Sequence, residues 1–472
     1  MANGIMSVGI SGLRTAQVAL LTTSHNISNA TTPGYNRQRT VQSASTPQLN
    51  SAGFVGRGVQ TAAVERVYNQ YLVNQSLQAQ GRSSQLNSYY NEIKQIDNML
   101  ADTASGLTPA LHNFFNAVQD VASNPTSIPS RQAMLSNAEA LTARFQAMDQ
   151  RLSEMQEGVN SQITSNLVEI NSLAQQIAQL NSDIQAAESS ANGRPANDLL
   201  DQRDTLIRDL SKVIHVDVVR QNNGHYNLFI GNGQSLVVGT SPMTLKAVPS
   251  ASDSQRLVVA MEQSGGEILL PEHQLQGGNL GGLLIFRSET LDSMQADFDE
   301  LAWGVAKTFN EQHQKGLDLQ GLSGVDFFTI ASADSGADPD ADLSHAARNI
   351  SVAISDPAEI AAADSDGGVS NNLNALALAE LQTKNTMHGG TASYQSAYSS
   401  LVSQIGNKTR ELEVTGQAQE NLLVQIDQSI QSLSGVNLEE EAANLLRYQQ
   451  MFQASSKVIE ISNSLFDSLL RI

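Results

Sequence analysis

Eight histidines are the first residues to weigh for chemistry: His25, His112, His215, His225, His273, His313, His345 and His388. An imidazole can ligate zinc or move a proton near neutral pH. Zinc held on one helix face needs two of them at i and i+4, and no pair has that spacing. The run DSGADPDADL, from Asp334, offers carboxylates for calcium but lacks the loop glycine and closing glutamate of an EF-hand. DSDGG, from Asp364 to Gly368, fails the same test, and both read as solvated acidic loops. GNGQSLVVG sets Ser235 among glycines without the Gly-x-Ser-x-Gly elbow of a hydrolase. GGNLGGLL has neither dinucleotide-binding spacing nor a P-loop lysine. Glu439 and Glu440 stand at a helix start, where the macrodipole accounts for them. The expectation is a protein that is not an enzyme and holds no cofactor or metal.

Composition points to long helices instead. Hydrophobic residues make up 40% of the 472-residue chain but aromatics only 5%, a mix that suits helical bundles better than sandwiches. A net charge of −20 without a basic patch argues against nucleic acid and for solubility. The absence of cysteine rules out disulfides and thiolate metal sites. No apolar run approaches the ~18 residues that cross a bilayer, so no membrane partner is expected. The start, MANGIMSVGISGLRTAQVALL, lacks the charged n-region and compact apolar core of a cleaved signal.

Both ends carry heptad seams. Met6, Ile10, Leu13, Leu20 and Ile27 share one grid, with Gln17 and Ser24 at its weak positions. Leu445, Phe452, Ile459, Phe466 and Leu469 belong to a second seam, interrupted by Ser455 and Ser462. Two imperfect seams of this kind predict that the terminal helices pair. Pro33 and Gly34 then stop the first helix and turn the chain. The longest helical signal follows Pro129, with Leu135 to Ile184 as its apolar row, enough unbroken for on the order of 90 Å at 1.5 Å per residue, with Asn197 a candidate N-cap for the helix that follows. From Ile214 to Leu284 the period changes to alternation, with short strands between Gly, Asn and Ser turns.

The expected fold is therefore mainly α with an inserted β domain: a discontinuous, elongated helical bundle, paired N- and C-terminal coiled-coil helices, and one small β-rich domain. The boundaries follow the changes of period. Residues 1–65 and 436–472 form a terminal helical unit. Residues 66–213, 285–316 and 367–435 form the bundle, and 214–284 with 317–366 the β-rich outer part.

SHNISNATTPGYNRQR, from Ser24 to Arg39, resembles the N-terminal signature of bacterial flagellar rod, hook and hook-associated proteins, matching it at Asn26, Ile27, Asn29, Thr32, Pro33, Gly34 and Tyr35. EEAANLLRYQQMFQASSKVIEISNSLFDSLL, SRQAMLSNAEAL and NDLLDQRDTL look like the branch of that family at the junction of hook and filament. The resemblance implies a structural subunit of a tubular axial polymer, with the terminal helices in its inner layer. It implies as partners other copies of the chain, the hook protein, a second junction protein on the filament side, and a cytoplasmic export chaperone at the C-terminal segment. It also implies type III export to the cell exterior without a cleaved signal. The two seams then become the expected assembly interface. Their polar interruptions predict helices largely disordered in the free monomer, which fold against neighbouring subunits. A hook or distal rod protein is the alternative within the family. A secreted adhesin or enzyme on a flagellar-like scaffold is the alternative outside it.

Overall fold

A computed structural model of the chain describes residues 2–50, 53–101, 106–221, 224–231, 233–251, 253–263, 265–330 and 343–470. Most of the acidic run that begins at Asp334 lies outside the described residues.

Helix α1 (Ala2–Ser28) leads through the predicted turn into an antiparallel ribbon of β1 (Gln38–Ala44) and β4 (Val59–Arg66). A hairpin of β2 (Gln48–Asn50) and β3 (Gly53–Val55) forms the ribbon's tip. Four helices follow: α2 (Gln70–Ala101), α3 (Leu107–Ser123), α4 (Ile128–Ser190) and α5 (Asn197–Val213). An antiparallel sheet then comprises β5 (Asp217–Arg220), β6 (Tyr226–Ile230), β7 (Gln234–Val238) and β8 (Ser241–Pro242). A second, in the order β11–β10–β9, comprises β9 (Leu245–Pro249), β10 (Leu257–Gln263) and β11 (Gly266–Leu269). Helix α6 (Gly278–Ile285) passes through a π-helical turn at Phe286–Leu291 into α7 (Asp292–His313). Strand β12 (Phe328–Ile330), helix α8 (Ala346–Asn349) and strand β13 (Ile350–Val352) precede α9 (Leu373–Glu380), α10 (Tyr394–Ser434) and α11 (Leu438–Leu470).

The organising element is α4. Its 63 residues span about 95 Å at 1.5 Å per residue, so it needs partners along its whole length. Ser127 opens it, the side chain accepting from the Ser130 amide. The predicted apolar row is buried almost throughout: Leu135, Leu141, Phe145, Met148, Leu152, Val159, Ile163, Leu167, Ile170, Ile177 and Ile184. Three asparagines on α4 fix the β structure to it. Asn160 donates to the Gln255 carbonyl at 2.7 Å, and Asn171 pairs with both backbone groups of Leu245 at 2.8 Å. Asn181 donates to the carbonyls of Tyr226 and Gly239 at 3.0 and 2.7 Å. Spacings of ten or eleven residues are about three helical turns, which returns each amide to the same face. The sheets are thus laid along the helix, and Leu228, Ile230, Leu236 and Leu245 join one continuous core with the bundle.

The β structure described for residues 317–366 is the short β12–β13 pair and isolated bridges at Leu317, and the pair lies inside the helical body. Phe327 and Phe328 pack with Phe114 and Phe309, ring centroids 4.9–6.1 Å apart. Asn197 is also placed differently from expectation. Ala196 occupies the cap position of α5, and Asn197 is the first helical residue. Its amide is taken by a longer-range task, donating to Gln38 Oε1 and the Val64 carbonyl at 3.2 and 2.9 Å.

Burial raises the pKa of several carboxylates, Asp149, Asp204 and Asp297 among them, and Asp299 shows how this couples stability to pH. Asp299 on α7 is buried and accepts from the His345 and Ala347 amides at 2.9 and 2.8 Å, which ties down the start of α8. Burial pushes its pKa up to about 6 in spite of those bonds. A raised folded-state value means that its stabilisation is complete below the ordinary carboxylate range and is lost as pH rises through about 6. Asp299→Asn should therefore flatten the rise in Tm between pH 7 and pH 4.5. Parallel curves for the two proteins would rule out the assignment.

Candidate functional site: the paired termini and their turn

Helices α1 and α11 pack antiparallel, Gly9 against Ile459 and Gly12 against Ser455. The buried residues of α1 are Gly9, Gly12, Ala16, Ala19, Thr23 and Asn26, with Thr15 beside them. Their spacing alternates between three and four, as a coiled-coil seam requires. This seam lies one residue earlier than the apolar grid of the sequence. A Cβ at Gly9 would sit 2.8 Å from Ile459 Cγ1, and one at Gly12 would sit 2.7 Å from Ser455 Oγ. The pair thus meets through small residues that let the backbones approach. Ser462 is buried on the partner side, so the serines read as interruptions belong to the packed face.

Of the residues expected at the assembly interface, Ile459 meets Gly9 within this seam, Leu445 and Phe452 continue its grid on α11, and those of α1 flank it. Met6, Ile10, Leu13, Leu20 and Ile27 are half-buried, as are Leu445, Phe452 and Ile459. Phe466 is exposed, and the side chain of Leu469 lies outside the described residues. Further apolar side chains stand in solvent: Ile5, Val8 and Leu21 on α1, and Leu438, Leu446, Ile461 and Leu465 on α11. The helix pair hides its small residues and shows its large ones, and a surface of that kind marks an interaction site. Gly4–Ser28 is also long and apolar enough, by length and composition, to cross a membrane, with a mean hydropathy of 1.3. The sequence reading expects no stretch of that kind, because Ser7, Ser11, Arg14, Thr15 and Gln17 interrupt the apolar residues, yet the average over the helix stays high.

The turn after α1 is a junction of four elements. Asn26 is 1% exposed and pairs with both backbone groups of Gln38, donating to the carbonyl at 2.8 Å and accepting from the amide at 2.9 Å. The Tyr35 hydroxyl donates to the same Asn26 oxygen at 2.7 Å, and its ring meets His25 edge-on. Burial, then Asp198, Asp201 and Glu441, pushes that hydroxyl far above its ordinary pKa, so it stays protonated and donating. Asn29 donates to the His25 carbonyl at 3.0 Å and accepts from Thr32 Oγ1 at 3.2 Å, closing the helix end. Pro33 stands exposed at the corner. Gly34 follows with φ of +79°, and a Cβ there would lie 2.3 Å from Thr205 Oγ1.

Helix α5 receives this turn through its acidic face. Asp201 accepts from the Asn36 amide and side chain at 2.9 and 2.7 Å, and from Arg66 at 2.8 Å. Arg66 also reaches Asp204 at 2.7 Å. Burial works against the charge on Arg66, but Asp204 and Asp201 outweigh it and hold the guanidinium protonated. Gln38 donates to Asp198 at 2.7 Å, and His25 stands 3.2 Å from the same carboxylate. On the far side the Arg37 amide donates to the Ser434 carbonyl at 2.8 Å, and its guanidinium pairs with Glu440 at the start of α11. The NDLLDQRD block is therefore the socket of the TTPGY turn. Sequence reading had both segments, but only the fold shows that they meet. Between the turn and helices α4 and α5 lies an open groove of about 670 Å³. Among the described residues no group of three or more potential metal ligands occurs.

Comparison with known proteins accounts for the whole chain. Residues 93–328 match the model of the flagellar hook-associated protein FlgK helical domain. Residues 6–36 match that of the flagella basal body rod protein, and residues 427–472 that of the flagellar basal body rod FlgEFG protein C-terminal. Flagellar hook-associated protein 1 of Salmonella typhimurium is 36% identical, with all of both chains aligned. The protein of that name in Bacillus subtilis is 27% identical over 97% of this chain and 96% of its own. The flagellar hook junction protein FlgK from Burkholderia pseudomallei superposes with a TM-score of 0.70 at 25% identity, covering 76% of this chain and 100% of that structure.

Proposed function

The chain belongs to the flagellar hook-associated protein 1 family, and we propose that it enters the flagellum by completing the folding of its paired termini against neighbouring subunits. It is a structural subunit of the junction between hook and filament, part of the external flagellum. The rod-protein models match its two ends, while the middle matches the hook-associated helical domain, which separates it from hook and rod proteins. The observation that carries the assembly reading is the outer face of the α1–α11 pair, with Leu21 64% exposed and Leu446 59% exposed. Ordering a helix costs roughly 1–2 kcal/mol per residue in backbone entropy, and a seam of glycine, alanine and serine returns little apolar burial. Neighbouring subunits supply the rest by covering the large residues. Assembly then depends on a preformed end, which suppresses free polymerisation.

The same reading gives the partners. Copies of the chain and the hook protein meet the terminal pair, and a second junction protein lies on the filament side. A cytoplasmic chaperone holds the apolar face of α11 before type III export without a cleaved signal. Deleting the gene should leave hooks intact and release filament protein into the medium; filaments of normal length would overturn the junction role. Hydrogen exchange on the purified monomer tests the folding step. Amides before Ser24 and after Val436 should exchange orders of magnitude faster than those of α4, while the turn from Asn26 onward stays held by Gln38 and Tyr35; equal protection of α1, α11 and α4 would refute coupled folding.

A further inference from the structure

Phe54 at the tip of the β1–β4 ribbon is 75% exposed, more than any other large apolar side chain among the described residues. Leu49 lies opposite it across the β2–β3 hairpin and is 66% exposed, with Val55 exposed beside it. The charge around this tip has one sign. Residues 1–66 carry five arginines and one acid, Glu65, for +4, in a chain whose total is −20. No acid occurs between Gln38 and Val64, and Arg39 and Arg57 are both exposed.

The complementary surface is the groove at the other end of the same ribbon. Pro33, Leu180 and Leu206 give it apolar walls, Asp183 and Asp198 give it an acidic rim, and no lysine or arginine lines it. Asp183 is exposed, and the one hydrogen bond described for its side chain is from Gln179 at 2.9 Å. Strand β1 alone is seven residues long and the β2–β3 hairpin extends beyond it, which holds tip and groove more than about 20 Å apart within one chain. The tip therefore cannot fill its own groove.

We propose that the hairpin tip of one subunit seats in the groove at the TTPGY turn of the next, with Phe54 against Leu180 and Leu206 and Arg57 against Asp183. This inference rests on the reading of the chain as a flagellar axial subunit. Donor and acceptor are different surfaces, so the contact is heterologous and repeats from copy to copy without closing on a pair. It also ties each incoming subunit to the turn that anchors α1 in its neighbour.

The chain has no cysteine, so a Phe54→Cys, Leu180→Cys double variant gives an unambiguous cross-link. The variant is expressed in place of the wild type, flagella are isolated and oxidised, and the chain is followed on a non-reducing gel. The expected result is a ladder of dimers, trimers and higher multimers, with monomers only in either single variant. Monomers only, from flagella that carry filaments, would overturn the docking while leaving the junction role intact. Dimers only would overturn the head-to-tail arrangement. If the double variant builds no filaments, the charge pair decides. Arg57→Glu should lower filament number about tenfold, and adding Asp183→Arg should restore it, with tenfold corresponding to 1.4 kcal/mol. Normal filaments with Arg57→Glu alone, or no recovery in the pair, would end the proposal.

Discussion

Gly12→Leu should abolish filament attachment while leaving the bundle folded. Gly12 is the point of close approach between α1 and α11, where even a Cβ would stand 2.7 Å from Ser455 Oγ and 3.5 Å from Ser455 Cβ. A serine hydroxyl can rotate away, but its Cβ cannot, and a leucine adds three more carbons beyond that point. The helices must separate or shift register, and overpacking of this kind costs about 1–3 kcal/mol. A terminal pair held together by small residues has little stability to lose, so the expected outcome is a chain secreted into the medium with hooks left bare. The Tm of the purified protein should barely change, because the cooperative core lies in α2 to α10, where Phe114, Phe145 and Phe309 are fully buried. Gly4→Leu is the matched control, since nothing lies within 4 Å of a Cβ there. Equal loss of filaments in both variants would mean that close approach is not the cause.

How α1 meets α11 was only half legible. The periodicity of the N-terminus was visible, and so was the pairing of the two ends. The face was not, because a hydropathy grid gives the seam to Leu13 and Leu20, whereas packing gives it to Gly12 and Ala19. Two grids offset by one residue have the same period, and only the backbone separation chooses between them. The body of the chain was easier. Helix α4 buries leucine, isoleucine and phenylalanine in a row too long for chance, and its break at Asn192 and Gly193 follows from their positive φ. The alternating run after Ile214 gave strands where strands exist. What it could not give was their seat, since Asn160, Asn171 and Asn181 look like surface amides until their carbonyl partners are known. The socket for the turn was hidden for the same reason. Asn197 pointed to the start of α5, but the bonds of Asp198 and Asp201 to Gln38 and Asn36 join segments some 160 residues apart.

Asn26→Ala tests whether that socket controls the end of α1. Truncation removes three hydrogen bonds at once and leaves the Gln38 amide, the Gln38 carbonyl and the Tyr35 hydroxyl without their partner. An orphaned buried polar group costs about 1–3 kcal/mol, so the expected loss is about 3 kcal/mol or more, located in the ribbon and α1. Asn29→Ala should cost less, roughly 1 kcal/mol, since its main bond is to the His25 carbonyl within its own helix end. The sharper variant is Asn26→Asp. The carboxylate still accepts from Tyr35 and the Gln38 amide, but it cannot donate to the Gln38 carbonyl, and it adds a charge close to Asp198 and Asp201. Protonation cures both defects, because the acid form has a proton to give and no charge. A buried carboxyl beside other carboxylates titrates above the ordinary range, so the folded-state pKa of the new group is raised. Its stability deficit should therefore be large at pH 7.5 and shrink as pH falls toward 5, in a denaturant series run on wild type and variant together. An unchanged gap at the two pH values would mean that the Gln38 carbonyl does not depend on Asn26. A closing gap, with filament assembly lost at neutral pH, would show that the residue at this position holds the helix pair in the register the polymer uses.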